Sequence, residues 1–284
     1  MSVLWRHEPP GLRRPILVVG FEGWFDVAKG ATGALDWLAD QVEADEVAAI
    51  DPEPYFDFTA RRPTVRLEAG QRVIDWPANA VRAAVLGDEG HDLLLLAGTE
   101  PHLRWRTFSE DLVEVARATS AELVITLGSM AEAVPHTRAP QVKGSSTNPA
   151  LAARLGLSSP TYQGPTGIVG VLHDTLDRER IPVISLRVAV PHYVSGPPNP
   201  KAMRSLLQHL QHVTGVATNW VGLNEPADDW QRQVDGAVSQ DSEASAYVDQ
   251  LERQADAALQ DDLPSGEDLA AEFERFLQER RDED

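Results

Sequence analysis

The sequence predicts an α/β fold: a three-layer α/β/α core with a mixed, mostly parallel sheet, followed by a C-terminal helical appendage. Short apolar runs rich in β-branched residues alternate with stretches of helical period, the pattern of strands crossing over through helices. One segment, TVRLEAGQRVIDW at 64–76, alternates on both sides of Ala69-Gly70 as a hairpin does, so part of the sheet is antiparallel. The charge is uneven: of the formal −19, residues 225–284 carry −14, leaving the preceding body at −5. The predicted division is an α/β core over 1–222 and an acidic helical extension over 223–284.

Each element follows from local chemistry. PILVVG at 15–20 is a buried strand ending in glycine, and DVAKGATGALDWLAD places Val27, Ala31, Ala34, Leu35 and Leu38 at helical spacing. EVAAID at 46–51 and HDLLLLAG are strands. FSEDLVEVARAT at 108–119 is an amphipathic helix with Ser109 as its cap. ELVITLGS is a strand. NPALAARLG and NPKAMRSLLQHLQHVTG share one grammar, an Asn cap, Pro in the first turn and a terminal Gly, with IPVISLRVAV at 181–190 as a strand between them. Beyond Gly222, Trp230, Val234, Val238, Tyr247, Leu251 and Leu259 mark one or two helices. Ser265 caps a further one with Leu269, Phe273, Phe276 and Leu277 on one face. Such polar helices need a surface to dock on.

Composition excludes several functions. A chain of 284 residues with 42% hydrophobic content can bury a sizeable core, and no apolar run approaches membrane-spanning length. The start lacks the apolar segment of a secretory signal, and there is no cysteine, so neither disulfides nor thiolate metal sites are expected. The acidic balance disfavours nucleic acid and anionic membranes. A cytoplasmic protein is the expectation.

No motif assembles a catalytic centre. In YQGPTGIVGVLHD at 162–174, Gly164, Gly167 and Gly170 fit neither a Walker A loop nor a dinucleotide fingerprint. A helix from Pro165 to about Arg178 separates His173 from Asp174 by ~100° and makes the glycines a stripe for close packing. The alternative is an anion at the bare helix start. GFEGWFD at 20–26 puts Glu22 and Asp26 in a strand-end loop with no base, which repels phosphate. If the sheet is mostly parallel, Glu22, Glu100, His136 and His192 converge on one edge as a pocket for metal or acid–base work; no two show a ligand spacing. No catalytic residue, cofactor or metal is predicted.

Five motifs, GFEGWFD, AGTEPHLRW, GSSTNPAL, YQGPTGIVGVLHD and VPHYVSGPPNPKA, together resemble the proteasome assembly chaperone 2 family, and the LPSG…EFERFL ending resembles its actinobacterial branch. The resemblance covers nearly the whole chain. It implies a nucleoside-phosphorylase-like core and homo-oligomers, with a trimer favoured. Its eukaryotic members chaperone proteasome α-ring assembly as a heterodimer, so proteasome subunits or another protein are the implied partners. Family members that dock on proteasomes can end in a hydrophobic–tyrosine–any-residue tail; this chain ends RRDED, which lacks it, and docking by that route is not expected. The function expected is non-enzymatic and acts through protein contacts. The alternative is a small-molecule, nucleoside-like binder or enzyme using the strand-end loops.

Overall fold

The apolar runs form the centre of one eight-stranded sheet. Across it lie β1 (Val3–Trp5), β3 (Asp45–Ile50), β6 (Asn79–Ala84), β7 (Leu93–Thr99), β2 (Ile16–Glu22), β8 (Leu123–Glu132), β10 (Val183–Pro191) and β9 (Val142–Ser145). Parallel pairing joins β7, β2, β8 and β10, the strands read as continuous apolar runs; antiparallel strands flank them on both sides. The computed structural model describes residues 2–8, 11–87, 90–196 and 198–261. The Ser265 cap and the Leu269–Leu277 face lie outside them.

Helices cover both faces, which gives the three layers. On one face α1 (Gly30–Gln41) and α5 (Pro200–Thr214) bring Leu35, Leu38, Leu206 and Leu210 onto Val18, Leu95 and Ile125. On the other, α2 (Trp105–Ala118) and α4 (Ile168–Arg178) bring Phe108, Leu112, Leu172 and Leu176 onto Leu17, Val19 and Leu94. The short α3 (Pro149–Leu155) and α5 start as the sequence predicts. Asn148 accepts the Leu151 N–H at 3.1 Å and Asn199 the Ala202 N–H at 3.0 Å, and both helices stop at a left-handed glycine, Gly156 and Gly215.

Two helix starts differ from expectation. Helix α2 begins at Trp105, the Phe108 N–H already bonding back to the Arg104 carbonyl at 3.0 Å; Ser109 therefore lies inside the helix, its hydroxyl without a partner. Helix α4 begins at Ile168 rather than Pro165, for a reason given by Glu100 below.

The acidic helices dock on the body. Helix α6 (Asn224–Val238) packs beside α5 and buries Ala227, Trp230 and Val234, and α7 (Ser242–Asp261) buries Val248 and Leu251. The expected hairpin is β4 (Thr64–Glu68) with β5 (Gln71–Asp75); it forms a separate two-stranded sheet joined to neither edge of the main one. Among the described residues no helix is long and apolar enough to cross a membrane.

Candidate functional site

The loop after β2 uses both of its carboxylates structurally. Asp26 is buried at the start of α1, where its Oδ1 accepts the Ala31 N–H at 2.8 Å and the Thr32 N–H at 3.2 Å, and its Oδ2 accepts the Thr32 hydroxyl. Burial raises its pKa, and these hydrogen bonds oppose the rise. Glu22 pairs with Arg61 at 2.7 Å, half exposed.

Glu100 closes the end of the neighbouring strand. Its Oε1 accepts the Ile168 N–H at 3.0 Å and its Oε2 the Trp24 N–H at 3.3 Å. The chain thus supplies its own anion at the helix start that the sequence left open to a ligand. Two glycines give the carboxylate room: a Cβ on Gly23 would lie 2.7 Å from Oε2, and one on Gly167 2.8 Å from Oε1. This holds Gly167 outside the helix as its N-cap. Within one chain the glycine stripe does not meet another backbone. Gly164 and Gly170 are exposed, and a Cβ on Gly170 would meet the Thr166 side chain.

The four residues expected to converge separate into two places. Glu22 and Glu100 are neighbours through their backbones, the Glu100 N–H donating to the Glu22 carbonyl at 2.9 Å, but their side chains diverge to Arg61 and Ile168. His136 and His192 lie farther along. Val19 pairs with Thr126 and Glu22 lies three residues on, while β8 runs six residues on to Glu132, about 10 Å farther. His136 is only 2% exposed, with Nδ1 2.8 Å from the Tyr193 hydroxyl and Nε2 2.9 Å from Asp235 of α6. His192 reaches the Glu132 carbonyl at 3.2 Å and Tyr247 of α7 at 3.4 Å. The Tyr193–His136–Asp235 chain has the order of a proton relay. Its tyrosine oxygen also accepts the backbone N–H of His136 at 2.8 Å, and burial raises the Tyr193 pKa, which favours the protonated phenol.

This second place is the seat of the acidic helices. Lys201, 6% exposed, donates to the His136 carbonyl at 2.6 Å and to Gln231 of α6 at 2.7 Å; burial lowers its pKa to about 8. Arg138 grips Asp256 of α7 with two bonds of 2.8 Å, and Thr137 donates to Glu252. A cavity of about 760 Å³ remains between them, lined by His136, Lys201 and Trp230. Among the described residues no cluster of three His, Asp or Glu is placed to hold a metal ion.

The first place opens into a groove of about 480 Å³ beside α4 that sequence reasoning missed. Its floor is the face of β8, β9 and β10 carrying Ser145, Ser185 and Arg187, with Thr126 beneath His173 of α4. The signal was present in ISLRVAV, where Ser185 and Arg187 interrupt an otherwise apolar strand on one face. His173 Nε2 lies 2.8 Å from the Thr126 hydroxyl, and burial, with Arg187 nearby, lowers its pKa to about 4. Trp24 and Tyr162 stand at the rim, 63% and 68% exposed.

Comparison with known proteins bears on these features together. The PAC2 family model matches residues 20–238. The chain is similar to a PAC2 family protein from Streptomyces avermitilis at 41% identity and a TM-score of 0.78, over 82% of this chain and 99% of that one. It is similar to a proteasome-assembly chaperone homologue from Mycobacterium tuberculosis at 36% identity and a TM-score of 0.75, again over 82% and 99%. An archaeal proteasome activator from Pyrococcus furiosus shares the fold, with 15% identity and a TM-score of 0.66 over 83% of this chain and 97% of that one. No curated protein matches the chain.

Proposed function

From the premise that the chain belongs to the PAC2 family, we propose that it is a self-associating, non-enzymatic protein that acts through protein–protein contacts in the manner of proteasome assembly chaperones. The observation that carries the reading is the β4–β5 hairpin. In its register Val65 stands opposite Ile74, and Leu67 follows Val65 on the same face, with Trp76 next in line; all four are exposed, Leu67 by 77%. Arg72 stands opposite Leu67 as the one charge on this face, while the other face carries Arg66 paired with Glu68 and Asp75. A lone two-stranded hairpin is marginal in water, and an uncovered apolar face on one is the mark of a contact surface.

A second copy of this chain is the occupant we favour. Two chains of −19 repel, and the hairpin over 64–76 carries two Arg against one Glu and one Asp, a neutral surface where like copies meet at least electrostatic cost. The resemblance favours a trimer with proteasome subunits as clients, and the composition a cytoplasmic protein; residues 223–284 then form an extension whose helices α6 and α7 sit on the core.

The chain has no cysteine, so Leu67→Cys creates a unique reporter. Bismaleimide treatment of that variant should give crosslinked chains, while Glu53→Cys away from the hairpin should not; equal crosslinking of both would count against the surface. Purified proteasome α-subunits should co-elute with the wild-type chain, and independent elution would remove the partner claim while leaving self-association standing.

A further inference from the structure

We propose that the groove beside α4 is a binding site for a small organic carboxylate, its head held by Arg187 and its apolar, planar body lodged against Phe25, Trp24 and Tyr162. The argument begins with the sheet. Strands covered on both faces by helices are ordinarily apolar on both, and β10 obeys this on the α1/α5 side with Ile184, Leu186, Val188 and Val190. On the α4 side it carries Ser185 and Arg187, beside Ser145 of β9. A buried polar floor needs partners.

Arg187 lacks them. Its Nε is buried without a hydrogen-bond partner, and among the described residues the guanidinium pairs with no carboxylate. The residue opposite it on β9 is Lys143, a like charge whose own partner is Glu132 at 3.3 Å. The other charged groups of the groove are engaged. Glu100 holds two backbone N–H groups, Asp174 pairs with Arg178 at 2.8 Å, and Asp177 accepts the Thr147 hydroxyl at 2.7 Å. His173, held on Thr126, is neutral at physiological pH, so among the described residues Arg187 is the one cation in the lining.

Arg187 lines a cleft of about 480 Å³ with its guanidinium paired to no carboxylate and its Nε–H unsatisfied behind the wall, a cation suited to an oxyanion, and that volume lies in the range of small-molecule sites. A singly charged head fits better than a doubly charged one, because Glu100, Asp174 and Asp177 also line the groove and oppose negative charge, and the one guanidinium can offset a single charge at most. The exposed Trp24 and Tyr162 rings offer flat apolar surface at the mouth.

The test is calorimetric titration of the full-length chain with 1-naphthoate, 1-naphthamide and 1-naphthyl phosphate. Naphthoate should bind, and the neutral amide and the phosphate should each bind at least tenfold more weakly. Arg187→Met should weaken naphthoate at least tenfold, with Arg187→Lys in between. Equal affinity for acid and amide, tighter binding of the phosphate, full binding by Arg187→Met, or no binding by any probe would overturn the proposal. Should the methionine variant fail to fold, the wild-type protein still decides the matter. Naphthoate, and not the amide, must shift an arginine Nε–H resonance in the ¹H–¹⁵N spectrum, and an unmoved spectrum overturns the assignment.

Discussion

Glu100 and Ile168 are joined by a 3.0 Å hydrogen bond from the first N–H of α4 to a carboxylate at the end of β7. The same carboxylate takes the Trp24 N–H, so one side chain ties three segments together. Glu100→Ala leaves two donors without this acceptor and should destabilise the fold by about 1–2 kcal/mol. Glu100→Gln keeps an acceptor oxygen and should cost less. Urea unfolding of both variants measures the difference.

Gly167 and Gly170 should respond differently to enlargement. A side chain at Gly167 collides with the Glu100 carboxylate, so Gly167→Leu should cost about 1–3 kcal/mol. Gly170 is exposed and its nearest obstacle is the rotatable Thr166 hydroxyl, so Gly170→Leu should melt within a few degrees of wild type. Thermal denaturation of the pair checks the order.

His173 makes stability fall in acid. Its ordinary pKa of 6.5 drops to about 4 in the fold, chiefly through burial, with Arg187 adding to the drop and Asp177 opposing it. The native state therefore binds fewer protons than the unfolded chain between those values. Stability is undiminished above 6.5, is lost as pH falls, and the loss is complete below 4. The full effect is about 3 kcal/mol. His173→Asn should flatten this part of the profile, measured by urea unfolding at pH 7, 5 and 4.

Arg138 is the clamp on α7, with bonds to Asp256 and a contact to Glu252 at 3.3 Å. Arg138→Ala should speed amide hydrogen exchange in α7 and leave the sheet strands protected as before. Trp230→Ala acts deeper: it empties a buried site under α6 and should cost about 3 kcal/mol of global stability.

What the sequence revealed depended on distance along the chain. The Asn caps, the glycine stops and the hairpin are local, each written within a few residues, and all are found where expected. The parallel centre was legible because strands buried on both faces are continuous apolar runs. The site was less so. Glu100 reads as a candidate catalyst until its target, 68 residues away, is known, and His136 until Asp235, 99 residues away, is placed beside it. Strands β1, β6 and β9 were overlooked because they are short or rich in alanine and glycine, and only their neighbours make them strands.

Light scattering coupled to size exclusion, at micromolar concentration, tests self-association through the hairpin most directly. The wild-type chain should elute at a multiple of the single-chain mass, three chains by the favoured reading. Leu67→Glu, which charges the centre of the exposed apolar face without touching the core, should elute as a folded single chain. A wild-type protein that is monomeric under these conditions, or a Leu67→Glu variant that assembles as wild type does, would contradict the account.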